Sequence, residues 1–143
     1  MLNRYIINSI INVDGYERYV EVENIGSKER FKIHFLEYNE YLESNENSKL
    51  KRIGDILEGD LSFGLVVKCE ARNGILRHKQ IYSSSHIEAI VRVSKVIDEY
   101  SIWVESSISD EEILVEFETK NHVNVGDKIY IEGSLEFHEK ENK

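Results

Sequence analysis

Apolar residues recur at every second position along most of this chain, and that period constrains its fold more than any other feature. Near the end, Ile129, Ile131, Gly133, Leu135 and Phe137 alternate with Tyr130, Glu132, Ser134, Glu136 and His138. Successive side chains of a strand point to opposite faces, so such a row folds as a long half-buried strand. The same alternation runs through Leu61, Phe63, Leu65, Val67 and Cys69, through Val20 and Val22, and through Phe31, Ile33 and Phe35. It returns in Ile102 and Val104, and in Ile113, Val115 and Phe117. Cys69, at the end of its row, reads as a small core hydrophobe rather than a reactive thiol. Asp14-Gly15 and Asn73-Gly74 tolerate positive φ and suit tight hairpins; 24–27 and 106–110 read as looser turns. Helical spacing occurs within Glu37–Glu46, EYNEYLESNE, where Tyr38, Tyr41 and Leu42 share a face. A loop through Lys49 competes there, since Asn39, Ser44, Asn45, Asn47 and Ser48 are poor helix formers. The expected class is all-β and mainly antiparallel, with at most one short helix or loop near 37–52.

The two halves of the chain repeat. Ile53-Gly54-Asp55, Glu58-Gly59, Leu61 and Phe63 correspond to Val125-Gly126-Asp127, Glu132-Gly133, Leu135 and Phe137. Upstream, each half has an Ile/Val strand and a turn with Asp14 or Asp98. A Val-Glu strand follows, at Val22-Glu23 or Val104-Glu105, and then a strand ending in Phe35 or Phe117. This predicts a duplication, with halves at 1–82 and 83–143.

At these residues the pattern resembles the oligonucleotide/oligosaccharide-binding (OB) barrel, over about residues 5–82 and 87–138. The resemblance implies that the Gly-Asp step enters the fourth strand. Gly59 and Gly133 would then lie where a strongly bent strand leaves no room for a side chain, with Gly54 and Gly126 in the turn before it. It also implies a fifth strand in Gly74–Tyr82. The second half has no such segment, so it is expected to stay open, borrow an edge from its twin, or pair with another chain, a second copy included. Two small barrel halves packed together are the leading expectation; a single β-sandwich is the alternative.

Charge restricts the partners. The chain has 143 residues, 27 of them acidic against 18 Lys plus Arg, for a net charge of −9. That length fits one domain, or two very small ones sharing a core. Residues 1–71 carry 9 basic and 13 acidic residues, and 72–143 carry 9 and 14, so neither half is a basic module. Non-specific nucleic-acid affinity comes from Lys and Arg on phosphates, which sets an acidic chain at a disadvantage unless its bases cluster. One stretch, Ala71–Ile87, has no acid and carries Arg72, Arg77 and Lys79 with His78 and His86. A hairpin plus connector accounts for it, and a nucleic-acid patch is the competing reading. Apolar runs fall short of the ~20 residues of a membrane span, the start lacks the order of a secretory signal, and the single cysteine forms no internal disulfide. A cytoplasmic protein is expected.

Motifs of chemistry are missing from the sequence: it has no Gly-rich phosphate loop, GxSxG, HExxH, zinc-spaced Cys pair or calcium loop. No cofactor or metal is expected. His34 and His138 fall on polar strand faces and read as solvated. Ser83–Ser85 beside His86 lack the geometry that sequence adjacency cannot supply. Glu21, Glu23, Glu116 and Glu118 read as soluble outer faces. Trp103 and Tyr130 alternate out of phase with their buried neighbours, and three readings follow: burial between the halves, a protein interface, or base stacking.

A non-enzymatic protein-binding module with a basic partner is the leading functional expectation, since complementary charge speeds association and rejects wrong partners. One concrete form is an immunity or antitoxin-type inhibitor of a nuclease toxin, its contact surface at Glu37, Tyr38, Glu40, Tyr41 and Glu43, with Trp103 and Tyr130 as further interface residues. The alternative is a single-stranded nucleic-acid or oligosaccharide binder using Arg72, Arg77 and Lys79.

Overall fold

The structure, a computed structural model, describes residues 3–37 and 50–140. Among them are nine strands: β1 (Asn3–Asp14), β2 (Glu17–Asn24), β3 (Arg30–Leu36), β4 (Ile56–Ala71), β5 (Arg77–Lys79), β6 (His86–Val96), β7 (Ser101–Ser106), β8 (Ser109–Phe117) and β9 (Lys128–Glu139). The chain is all-β, and the strands form one mixed sheet in the order β1-β2-β3-β9-β4-β8-β7-β6-β5. Two ladders, β3 with β9 and β4 with β8, are parallel, so a mainly antiparallel description has to make room for them. No described helix is long and apolar enough to cross a membrane.

Two further pairings, β1 with β4 and β6 with β9, turn the sheet into two closed circuits of strands. One runs β1-β2-β3-β9-β4 and back to β1; the other runs β6-β7-β8-β4-β9 and back to β6. Both circuits use β4 and β9. Gly59–Gly64 of β4 pair with Ser134–Glu139 of β9 in the first, and Lys68–Ala71 pair with Ile129–Glu132 in the second. β4 therefore pairs with both β8 and β9 in the second circuit. Gly74–Tyr82 do not supply the first half's fifth strand: Arg77–Lys79 pair instead with Glu88–Ile90 of β6, and the carboxyl-terminal part of β9 lies beside β3.

The repeated Gly-Asp steps fold identically. Gly54 and Gly126 have φ of 92° and 93°, a region open to glycine. The Gly54 and Gly126 amides donate to the carbonyls of Ile7 and Val93, and those residues donate back to the carbonyls of Asp55 and Asp127. Asp55 accepts from the Arg52 amide at 2.8 Å and Asp127 from the Asn124 amide at 2.9 Å, so each side chain closes its own turn.

The alternating rows deliver the core. Val20, Val22, Phe31, Ile33, Ile102, Val104, Ile113, Val115, Ile131 and Leu135 are all buried in one cluster with Tyr5, Phe63 and Phe137. The row through β4 does not continue as alternation predicts. Leu65 and Val67 are exposed by 60% and 73%, while Val66 between them is buried. The ladder slips there, from Gly64↔Ser134 to Lys68↔Glu132, and Leu65 adopts φ 50°. The irregularity turns Leu65 and Val67 outward, Cys69 beyond it returns to the core side while Lys68 and Glu70 stay exposed, and it falls where β4 passes from one circuit to the other. Cys69 lies partly buried against the core, and burial pushes its thiol up from the ordinary value.

Candidate functional site

Two clefts gather the chemistry-bearing side chains. The first, of about 390 Å³, lies between β7–β8 and the outer surface of β1, β4 and β9. Trp103 and Leu114 are paired across β7–β8, out of phase with the buried Ile102, Val104, Ile113 and Val115, so alternation turns both into the cleft. The buried Leu61, Ile113 and Tyr5 form its floor; Asp60, Glu111, Glu112, Ser62, Ser109, Asn3 and His138 complete the lining. Trp103 is half-buried. Ser62 Oγ lies 2.8 Å from His138 Nε2, tying β4 to β9 along one wall. No Lys or Arg lines this cleft among the described residues.

The local field is negative. Burial pushes the Tyr5 hydroxyl from 10.0 up to about 12; a hydrogen bond with Asn24 opposes this, and the Asp60 and Glu111 carboxylates add to it. A proton held more tightly in the folded state stabilises fully below the unfolded value, and that contribution is lost as pH rises through the folded one. Stability should therefore fall between pH 10 and 12, and Tyr5→Phe should flatten part of that slope in urea titrations followed by circular dichroism.

The second cleft, of about 350 Å³, is lined by Arg72, Arg77, His78, Lys79, Glu88, Ala89, Ile90 and Tyr130. The β4–β9 ladder runs on through the Arg72 amide, which donates to the Lys128 carbonyl, and β5 brings Arg77 and Lys79 alongside β6. The Arg72 guanidinium sits 4.0 Å from the centre of the Tyr130 ring and the Lys68 ammonium 5.5 Å from it, both within cation–π range. Arg72 also pairs with Glu70. The Tyr130 hydroxyl donates to Glu88 at 2.7 Å and Glu132 at 2.5 Å. Desolvation, with those carboxylates, drives its pKa far above the ordinary tyrosine value, and the same bond lowers that of Glu88. His78 lies 2.6 Å from Ser107 Oγ, and burial lowers its pKa.

The structure thus brings Arg72, Arg77, Lys79 and Tyr130 together, and places Trp103 in the other cleft. Tyr38, Glu40, Tyr41 and Glu43 lie outside the described residues. Glu37 turns inward: its side chain is 14% exposed, 3.4 Å from the Arg18 guanidinium, and it accepts the Lys51 amide at 3.0 Å. His34, expected to be solvated, is half-buried against Tyr19, 2.6 Å from Glu136 and 3.4 Å from Glu17. His34 faces Glu136 across the parallel β3–β9 contact, a pairing between remote strands that local alternation does not signal. Among the described residues no group of three or more His, Cys, Asp or Glu is placed to hold a metal ion. Comparison with protein-family models, with curated proteins and with solved structures finds no match to this chain.

Proposed function

We propose that this chain is a non-enzymatic binding module that takes a basic protein partner in the Trp103 cleft, acting in the cytoplasm as an immunity or antitoxin-type inhibitor. The observation that carries this reading is the lining of that cleft. Trp103 and Leu114 offer aromatic and apolar surface over the buried Leu61 and Tyr5, and Asp60, Glu111 and Glu112 edge it without any Lys or Arg among the described residues. Interfaces draw most of their energy from such an anchor surrounded by polar groups, and carboxylates at the rim favour Lys and Arg across the interface.

The architecture in this reading is a duplicated OB-type barrel, residues 1–82 and 83–143, in which β4 and β9 each serve as fourth strand of one barrel and fifth strand of the other. Support comes from the matching Gly-Asp turns and from the paired parallel contacts, His34↔Glu136 and Leu114↔Ser62. The fold does not decide the ligand; the cleft chemistry does.

The test mixes the purified protein with each purified basic protein encoded beside its gene and measures affinity by calorimetry. Trp103→Ala should weaken the complex by about 30-fold, the effect of removing an interface anchor, while Arg72→Glu should leave it unchanged. The reverse pattern, or no complex with any of them, rules the reading out. A second reading, single-strand nucleic-acid binding, is favoured by the gathering of Arg72, Arg77 and Lys79 around the Tyr130 ring. Glu70, Glu88 and Glu132 oppose it. A labelled oligonucleotide that binds at low salt, with affinity falling steeply as salt rises, selects this second reading.

A further inference from the structure

The two circuits differ at one equivalent place. In the first, the outer edge of β3 is already occupied by the chain itself. The Lys32 amide donates to the Gln80 side-chain oxygen at 2.8 Å, and the Gln80 side-chain nitrogen donates to the Lys32 carbonyl at 2.6 Å, so one amide side chain imitates a neighbouring strand. The connector from β5 to β6 continues along this edge. Lys32 Nζ donates to the Tyr82 carbonyl at 3.0 Å, and the Leu135 amide to the Ser85 carbonyl at 2.8 Å.

In the second circuit the corresponding edge belongs to β8. The parallel contacts His34↔Glu136 and Leu114↔Ser62 are equivalent, and Lys32 and Glu112 each stand two residues before them. The Glu118 amide donates to the Val66 carbonyl, which directs the amides and carbonyls of alternate β8 residues, Leu114 and Glu112 among them, to the β4 side. The β4 ladder begins at Leu114, and among the described residues no strand pairs with Glu112. Glu112 borders the Trp103 cleft. An unpaired edge beside an aromatic pocket accepts an added strand, with backbone bonds supplying affinity and alternate side chains supplying specificity.

We propose that a basic segment of the protein partner adds to β8 as an extended strand, pairing with the Glu112 backbone, setting an apolar side chain against Trp103 and Leu114, and placing the alternate Lys or Arg beside Asp60 and Glu112. This rests on the protein-binding reading of the same cleft and specifies its mode. The occupied β3 edge is the internal precedent, and the carboxylates select a cationic strand over an anionic one.

The experiment uses the full isotope-labelled chain and a seven-residue peptide of alternating lysine and valine, with versions N-methylated on either backbone edge. Saturation with the unmodified peptide should slow exchange of the Glu112 amide at least tenfold and shift the Trp103 indole resonance, while one methylated version should do neither. Glu112→Pro, which removes a donor aimed away from β7, should lose the peptide and keep its fold; the methylated peptides decide the matter if that variant does not fold. Equal Trp103 shifts with all peptides and unchanged Glu112 exchange overturn strand addition and leave the cleft reading standing. Shifts confined to Arg72 and Tyr130, or none at millimolar peptide, overturn strand addition also; the calorimetric test with whole partners then judges the cleft separately.

Discussion

Gly59→Ala should destabilise the protein by about 3 kcal/mol, the upper end of overpacking costs, whereas Gly64→Ala, five residues along the same strand, should cost less than about 1 kcal/mol. A methyl group at Gly59 would run into the carbonyl oxygen of His138 and come within 2.9 Å of the Phe137 ring. The first is backbone of the paired strand, which cannot withdraw without opening the β4–β9 ladder. At Gly64 the obstruction is Glu136 Cγ at 2.9 Å, part of a side chain that can swing aside. Gly133, the repeat partner of Gly59, should behave like it, since its methyl would stand 2.6 Å from the Gly64 carbonyl oxygen and 2.9 Å from Val66. Urea denaturation of the three alanine variants measures the contrast. Equal, small losses at all three positions would mean that β4 and β9 do not cross as closely as described.

Removing either member of the Arg18–Glu37 pair should cost about 3 kcal/mol, and replacing both by Met and Leu should restore most of it. Both side chains are largely out of solvent, 8% and 14% exposed, and Arg18 donates to the carbonyls of Gly15 and Glu17 as well. An uncompensated charge left at such depth is the source of the loss. The double variant carries none, so its partial recovery separates desolvation from lost packing. Thermal unfolding of Arg18→Ala, Glu37→Ala and the double variant tests this. The same variants bear on binding: a Glu37 that contacts the partner would weaken the complex with stability unchanged, the opposite of what its inward position predicts.

Much of the strand content was legible because a strand's burial is a local property. Phe31, Ile33 and Phe35, or Ile129, Ile131, Leu135 and Phe137, lie on the buried faces that alternation assigns to them. The glycine repeat was legible too, since a positive-φ turn needs Gly54 and Gly126 whatever the rest of the chain does. Pairing partners were not. Nothing near residue 77 states that β5 will join β6, and nothing near Gly64 states that β4 will change circuits and turn Leu65 and Val67 outward. The second outcome depends on strands tens of residues away, and the first on which neighbour β5 meets rather than on its own residues. The sites followed the same division. Alternation set Trp103 and Tyr130 apart from their buried neighbours, but only the folded chain puts Tyr130 with Arg72 and Trp103 with Asp60 and Glu112. Glu37 looked exposed because its neighbours are polar, and its buried partner Arg18 is nineteen positions upstream.

Equivalent edges, one filled by the chain's own Gln80 and the other, at Glu112, paired with no strand among the described residues, are the centre of the functional proposal. Amide hydrogen exchange of the free protein compares them directly. The Lys32 amide, bonded to Gln80, should exchange slowly, and the Glu112 amide should exchange at a rate near that of unstructured chain. Glu112 protected as strongly as Lys32 would mean that the edge is already paired in the free protein, and would contradict the account.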